Sequence, residues 1–403
     1  MQENPDEPRL ARDCCWLRVL TVVPLVAMAQ SKHTGRTSPL LTRTSLVTAF
    51  LATAGVVAVE QSACGDGIVR CWGLISDVPI DLGACASVAS GHRHIIALQS
   101  DGIVRCWGDD CGFGQCDTPA DLGPCSSIAG GGYHSIAIRS DGIVRCWGSN
   151  YFGQCDTPAD LGPCSSVAGG KYHSIAIRSD GVVRCWGWNN FGQCDTPADL
   201  GQCSSVAGGG LHSIAVGSDE IVRCWGWNGS GQCDTPADLG PCSSVAGSTY
   251  HSIALRIDGN VRCWGSNAYG QCYTPADLGP CSSVSAGEYN SIALRSDGDV
   301  RCWGAKYWWV NFGQCDTPTD LGPCSIVAAG RFHAVAIEAA CPSCRADLNG
   351  HCRVDGADLG ILLNQWGPCS TGATGCTGDI NTDGVVDGVD LGYLLSNWGT
   401  CPD

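Results

Sequence analysis

The sequence predicts an all-β propeller followed by a small helical tail, and three observations carry that expectation. A 39-residue unit recurs along most of the chain, as in residues 126–164, SSIAGGGYHSIAIRSDGIVRCWGSNYFGQCDTPADLGPC. Within the unit, short alternating strands are separated by Gly, Asp-Gly and Pro, with no helical period. After Cys341 the composition changes, and a different motif appears twice, 32 residues apart.

The repeat is in register throughout. Cys-Trp-Gly recurs at Cys71, Cys106, Cys146, Cys185, Cys224, Cys263 and Cys302, and a His at His94, His134, His173, His212, His251 and His333, preceded by Gly-x-x except at His251, where Ser248 stands in the Gly position. Asn290 fills the remaining His slot. In each unit a short strand such as 126–129 precedes the alternating run His134 to Arg139. A Ser140-Asp141-Gly142 turn then leads into Ile143 to Trp147, so the last two strands form a hairpin. The segment Gly153-Gln154-Cys155-Asp156-Thr157-Pro158 is turn chemistry carrying the chain to the next unit. Several short strands per 39 residues favour propeller blades over the shorter coils of a β-helix.

The ends of the array are complementary. The chain enters with Asp66 to Trp72, which lacks a preceding His strand, and leaves with His333 to Ile337, which lacks a following Cys-Trp-Gly strand. Pairing the two in one blade removes two open sheet edges.

These residues, G-x-x-H-S, S-D-G, W-G and G-Q repeated in register from about Gly65 to Ala339, resemble the regulator of chromosome condensation family. The resemblance implies a seven-bladed β-propeller closed by its N- and C-terminal strands. It does not by itself imply guanine-nucleotide exchange on a small GTPase, which belongs to a nuclear member, and secreted members of this architecture act as protein-binding rings.

Composition narrows the function. The 403 residues carry a net charge of −16, which repels a nucleic-acid backbone and gains nothing at an anionic membrane. Thirty Cys point to an oxidising compartment. Residues 1–64 read as a leader, with apolar runs at Val19 to Ala29 and Leu46 to Val59. The second run, after Lys32, Arg36 and Arg43, has the layout of a secretory signal, and the mature chain is expected to keep no membrane anchor. Residues 65–340 form the propeller and 341–403 the tail.

Repeated polar residues are read as structural. The Arg of Val-Arg-Cys, from Arg70 to Arg301, is expected to pair with aspartates such as Asp141, Asp156 and Asp160. The His are expected to bond neighbouring backbone, and adjacent His and Ser on one strand point to opposite faces, which excludes a nucleophile and its base. For the disulfides, the Cys-Trp-Gly cysteine is expected to bond the following Leu-Gly-x-Cys cysteine (Cys71 to Cys85, Cys146 to Cys164), with Cys155 to Cys164 as the alternative. Cys302 to Cys315 is four residues longer than Cys263 to Cys272 and inserts aromatic residues. Tyr307, Trp308 and Trp309 are candidates to anchor a protein partner or stack on sugar rings, against the alternative that they pack on the tail.

The tail motif has calcium-loop spacing. Asp379, Asn381, Asp383, the Val385 carbonyl, Asp387 and Asp390 occupy positions 1, 3, 5, 7, 9 and 12 of an EF-hand-like loop, with Gly384 at the tight turn. Asp347, Asn349, Asp355 and Asp358 mark the first copy, where His351, Cys352 and Arg353 weaken the oxygen set. The pair resembles a dockerin domain, which implies Ca²⁺ and docking to a cohesin. The recognition positions, Gly356-Ala357 and Gly388-Val389, depart from that family's pattern. The expected function is a secreted or cell-surface, non-enzymatic and monomeric binding protein, its propeller a protein-interaction scaffold and its tail a calcium-stabilised docking module. The alternatives are an accessory or enzymatic component of an extracellular polysaccharide-degrading assembly and, ranked last, guanine-nucleotide exchange. No carboxylate pair stands off the repeat consensus to support an enzyme, Glu220 and Glu288 being isolated substitutions.

Overall fold

A computed structural model describes residues 67–109, 111–339, 345–348, 353–354, 356–369 and 376–400. The leader falls outside them.

Seven three-stranded antiparallel sheets, of the kind that form propeller blades, account for residues 67–338. In the first complete sheet, A, β2 (Cys85–Ser90) pairs with β3 (His94–Gln99), which pairs with β4 (Val104–Gly108). Sheets B to F repeat this order over residues 125–148, 164–187, 203–226, 242–265 and 281–304. Sheet G is assembled from both ends of the array. Its strands Cys324–Ala329 and His333–Glu338 are completed by β1 (Ile68–Gly73), with Gly73 opposite His333 and Ile68 opposite Glu338. The same Gly-opposite-His register occurs between β3 and β4, at His94 and Gly108, so β1 supplies the missing strand as the sequence predicts.

Burial follows the period-2 alternation of the middle strand, which is covered on both faces. In sheet B, Ile136 and Ile138 pack against Val167 and Ala176 of sheet C, while Ala137 receives Ile96 and Leu98 of sheet A. Large side chains on one face therefore meet small ones on the next sheet, which fills the interface without voids. Sheets G and A share such a core, with Val335 and Ile337 against Val88, Ile95 and Ala97.

The hairpin turns need a left-handed residue, and Gly102, Gly142 and Gly181 supply it at φ of 86°, 85° and 84°. Glu220 holds the same position in sheet D at 64°, a strained conformation for a side chain with a Cβ.

The disulfide expectation is corrected. The Cys-Trp-Gly cysteine bonds the Gly-Gln-Cys cysteine of its own linker, as Cys106–Cys116, Cys185–Cys194, Cys224–Cys233 and Cys302–Cys315. Cys146 and Cys155 face each other in the same way, as thiols 2.7 Å apart. The Leu-Gly-x-Cys cysteine lies instead on the first strand of the following sheet, where the buried Cys164 thiol donates to Gly162 O at 3.6 Å. Cys71 has no Gly-Gln-Cys cysteine in its own linker, and burial raises its thiol pKa to about 12.

The Arg expectation holds with a narrower partner. The seven Val-Arg-Cys arginines each reach an aspartate of the linker that leads into the first strand of their sheet: Arg145 meets Asp121 at 3.1 Å and Arg184 meets Asp160 at 3.1 Å. Asp141 pairs with Arg139 instead, and Asp156 accepts from Asn150. The linker aspartates are well exposed, so solvent screens each pair and its contribution to stability is small.

In the tail, α1 (Gly356–Asn364) and α2 (Gly388–Ser396) are related by an internal repeat. Residues 353–354 pair with 399–400, and 367–368 with 385–386. Ala346, Val354, Leu362, Ile380, Val386 and Leu394 form its core, and Cys369–Cys376 closes the connection between the halves.

Candidate functional site

Polar residues buried at the sheet interfaces are the first place to look for chemistry, and the repeat assigns them a structural task. His134 of sheet B reaches Ser174 of sheet C at 3.0 Å, and Ser174 donates to the Gln154 carbonyl at 2.8 Å. The carbonyl can only accept, so the hydroxyl proton goes to it and the imidazole Nε2 must carry the hydrogen that reaches Ser174. The relay recurs from His94 to Ser135, His173 to Ser213, His212 to Ser252 and His251 to Ser291. The expectation that these His bond backbone is therefore corrected: their partner is a side chain of the next sheet. A histidine protonated toward the serine is no general base, and both groups are fully buried, so these pairs are not catalytic.

The Gln154 carbonyl also accepts from Trp186 Nε1 at 2.9 Å, while the Gln154 side chain accepts from Phe152 N at 2.9 Å. The Trp-Gly and Gly-Gln signatures are thus two ends of one hydrogen-bonded corner. The glycine three residues before five of the six His lies in close approach: a Cβ at Gly131 would overlap the His134 ring, whereas before His251 the position is Ser248, whose hydroxyl bonds His251 Nδ1 at 2.6 Å.

Sheet G interrupts the relay on both sides. Asn290 of sheet F faces Ala334, where a Ser would stand, and His333 of sheet G faces Ile95. The Asn290 Oδ1 and His333 Nε2 atoms are buried without a hydrogen-bond partner. Sheet G is held by other means. Arg331 N donates to His92 O of sheet A at 3.3 Å, Arg331 Nε meets Glu288 Oε2 of sheet F at 2.8 Å, and Tyr289 stacks with Phe332 at 5.8 Å. Arg331 and Glu288 border a space lined by the Gly-rich turns of all seven sheets, and there their opposite charges form an ion pair.

Exposed chemistry is concentrated elsewhere, on the linkers flanking sheet F. Tyr307 and Trp309 stack with centroids 4.8 Å apart and planes 5° from parallel, and Trp308 stands at 86° to Trp309. Tyr307 meets the edge of Tyr269, and the Lys306 ammonium lies 4.9 Å from the Tyr273 ring centre. Trp308 is 83% exposed, which leaves its ring faces open, while Phe312 is anchored on Phe332 at 4.6 Å. The sequence picked out the insert but missed Tyr273. Its signal was present: Tyr273 replaces the aspartate that follows Gly-Gln-Cys at Asp117, Asp156, Asp195, Asp234 and Asp316.

In the tail, the second loop holds its acidic residues by backbone donors. Asp379 accepts from Asp383 N at 3.0 Å and Gly384 N at 2.8 Å, and Asn381 Nδ2 donates to Asp383 Oδ2 at 2.9 Å. Gly384 takes φ 92° at the tight turn. Asp387 caps α2 through Val389 N, while Asp390 accepts from Ile380, Asn381 and Asp387 amides. Asp358 bonds Leu348 N as Asp390 bonds Ile380 N, so the two loops share a design. Asn349 and Asp355 lie outside the described residues. Among the described residues, no three His, Cys, Asp or Glu groups converge as a preformed metal cluster.

Comparison with known proteins identifies the repeat. The family model for the regulator of chromosome condensation (RCC1) repeat matches residues 85–115, 125–154, 164–193, 242–271 and 281–306. No curated protein matches the sequence. Among solved structures, Prp20p from Saccharomyces cerevisiae, described with its binding to Gsp1p and histones, is similar with TM-score 0.58 and 18% identity, covering 70% of this chain and 94% of that one. The CRINKLY WD40 ectodomain of the Arabidopsis thaliana receptor kinase ACR4 gives 0.51 and 22%, covering 62% and 91%. Human WBSCR16 gives 0.52 and 18%, covering 65% and 88%. At these identities the likeness is one of fold.

The buried His make stability depend on pH. Burial lowers the pKa of His94 and His173 to about 4 and of His134, His212, His251 and His333 to about 3. Above pH 6.5 neither folded nor unfolded chain binds these protons. As pH falls from 6.5 toward 4, the unfolded chain takes them up and the folded chain does not, so stability falls. Six such His act in the same direction, so the fall is cumulative. Urea unfolding between pH 5 and 7.5 should show this fall, with a shallower slope for His134→Asn, and a pH-independent midpoint would contradict it.

Proposed function

Because the chain carries RCC1 repeats across residues 85–306, we propose that it is a secreted or cell-surface binding protein, a seven-bladed ring closed through sheet G that presents a partner-binding patch and does no chemistry. The observation that carries the reading is the exposed cluster of Tyr307, Trp308 and Trp309 on linkers joining rigid, largely stapled sheets. Large exposed rings lose little side-chain entropy on contact, which suits them to anchor a partner. The buried relay supports the absence of catalysis, since it commits the histidines and serines to packing. Disulfides closing the linkers support an oxidising compartment.

The tail is read as a calcium-stabilised, dockerin-like docking module. Its second loop fits Ca²⁺: Asp379, Asn381, Asp383 and the Val385 carbonyl would supply hard oxygen ligands beside Asp387 and Asp390, on a loop whose tight turn Gly384 already makes. The ion would neutralise carboxylates that only backbone and Asn donors now face. In the first loop Asp347 and Asp358 would serve with Asn349 and Asp355. Small residues at the recognition positions favour a cohesin-like partner of altered surface. Exchange on a small GTPase finds no support in this chain beyond the shared fold.

Two measurements test this. Full-length protein immobilised in calcium should retain a surface partner, and Trp308→Ala with Trp309→Ala should weaken that binding by about 2 kcal/mol or more while the thermal transition stays in place. Loss of folding in the double variant, or unaltered binding, would contradict the assignment of the patch. Calorimetric titration of the full chain with Ca²⁺ should show one tighter site that Asp383→Ala removes. Two equal sites, or a tight site surviving that change, would contradict the loop assignment.

A further inference from the structure

The repeats provide an internal control. Whatever all units share is needed to build the sheets, and a departure that leaves the sheet intact is available for another purpose. Two departures bring exposed aromatic residues together: Tyr273 in place of the consensus aspartate and the insert 305–310 are separated by about 32 positions in sequence yet meet in space. Lys306 joins them: its amide donates to Tyr269 O at 3.2 Å and its ammonium lies over Tyr273.

The Tyr273 exchange also has a visible cost. In the units of sheets B, C and D the aspartate accepts from the linker asparagine at 2.7 Å, as Asp156 does from Asn150, Asp195 from Asn189 and Asp234 from Asn228. Asn267 cannot make that bond to a tyrosine. The sheet is nonetheless intact, with the register of its neighbours. A structural bond has been given up and an exposed ring gained at the one linker that adjoins the insert.

On this ground we propose that Tyr273, Tyr307, Trp308 and Trp309 form a binding platform for a neutral polysaccharide chain. The inference rests on the reading of this patch as the partner-binding surface and names its ligand. Three features select a sugar. Tyr273, Tyr307, Trp308, Trp309 and neighbouring Phe312 are exposed, whereas the insert's aliphatic residues, Ala305 and Val310, are buried, so the platform offers flat π faces and no aliphatic knobs. Flat faces match the C–H faces of pyranose rings, while a protein anchor would also meet branched side chains. The insert's one charge, Lys306, is already engaged over Tyr273, so the platform has no unengaged cation for an acidic polymer. With the whole chain at −16, polyanions are repelled, which leaves a neutral glycan. Tyr hydroxyls and the indole N–H groups can bond sugar hydroxyls at the ring edges.

The test is affinity electrophoresis of the full chain in native gels containing a soluble β-glucan, a neutral xylan or a mannan, with dextran sulfate as the anionic control. The wild type should be retarded by at least one neutral polymer and not by dextran sulfate. Trp308→Ala should raise the dissociation constant about tenfold or more. Tyr273→Asp, which restores the repeat's own residue and its bond to Asn267, should also weaken retardation while leaving the thermal transition unchanged or raised. Migration unaffected by every neutral polymer, or retardation that survives both substitutions, would overturn the proposal. If a protein partner is lost on Trp308→Ala while no polymer retards the wild type, the ligand class is wrong and the patch assignment stands. If neither changes, both are wrong.

Discussion

The interaction on which the structure depends is a relay of three groups that crosses each interface from sheet A to sheet F, from imidazole N–H to hydroxyl to carbonyl. It buries a histidine and a serine with no solvent, and such groups are costly unless satisfied. The relay keeps each imidazole in one tautomer while burial keeps it neutral, and it fixes the linker carbonyl that also receives the indole of Trp186, Trp264 and Trp303. From that corner follow the glycine beneath all but one of the His, the Gly-Gln turn and the placement of the next cysteine opposite the outer strand. The repeat's signature is therefore a list of the parts of one hydrogen-bonded joint.

Sheet G lacks the His-to-Ser relay on both sides, though Trp72 Nε1 still donates to Gln314 O at 2.9 Å on the sheet F side, and it is also the sheet whose strands come from opposite ends of the array. Its Cys71 has no linker partner of the kind that staples Cys106 or Cys302. What holds it is the register of β1 against His333–Glu338, the hydrophobic contact with sheet A and the Arg331 contacts to both neighbours. A strand brought in from a distance replaces joints that local sequence supplies elsewhere, so stability is distributed unevenly around the array.

Much of this was legible in the sequence because repetition multiplies weak local signals. Strand positions, Asp-Gly turns, the complementary ends and Arg pairing followed from pattern alone. The disulfides did not. Counting cysteines in the first unit favoured the Leu-Gly-x-Cys residue, but pairing is decided by which cysteine the Gln154 corner brings back to its own outer strand, a three-dimensional fact. The His to Ser relay was missed for a related reason: its two members are about 40 residues apart and adjacent only across an interface. In the exposed patch the insert stood out by length, whereas Tyr273 changed one residue without altering spacing, and only its contact with Lys306 reveals the connection.

The account holds that β1 is an integral strand of the last sheet and that the array depends on it. Thermal unfolding and amide exchange of a variant lacking residues 68–73 test this directly. The transition should fall by many degrees and broaden, and the amides of His333–Glu338 should exchange as in an open edge. A transition superimposable on that of the full chain, with those amides still protected, would contradict it.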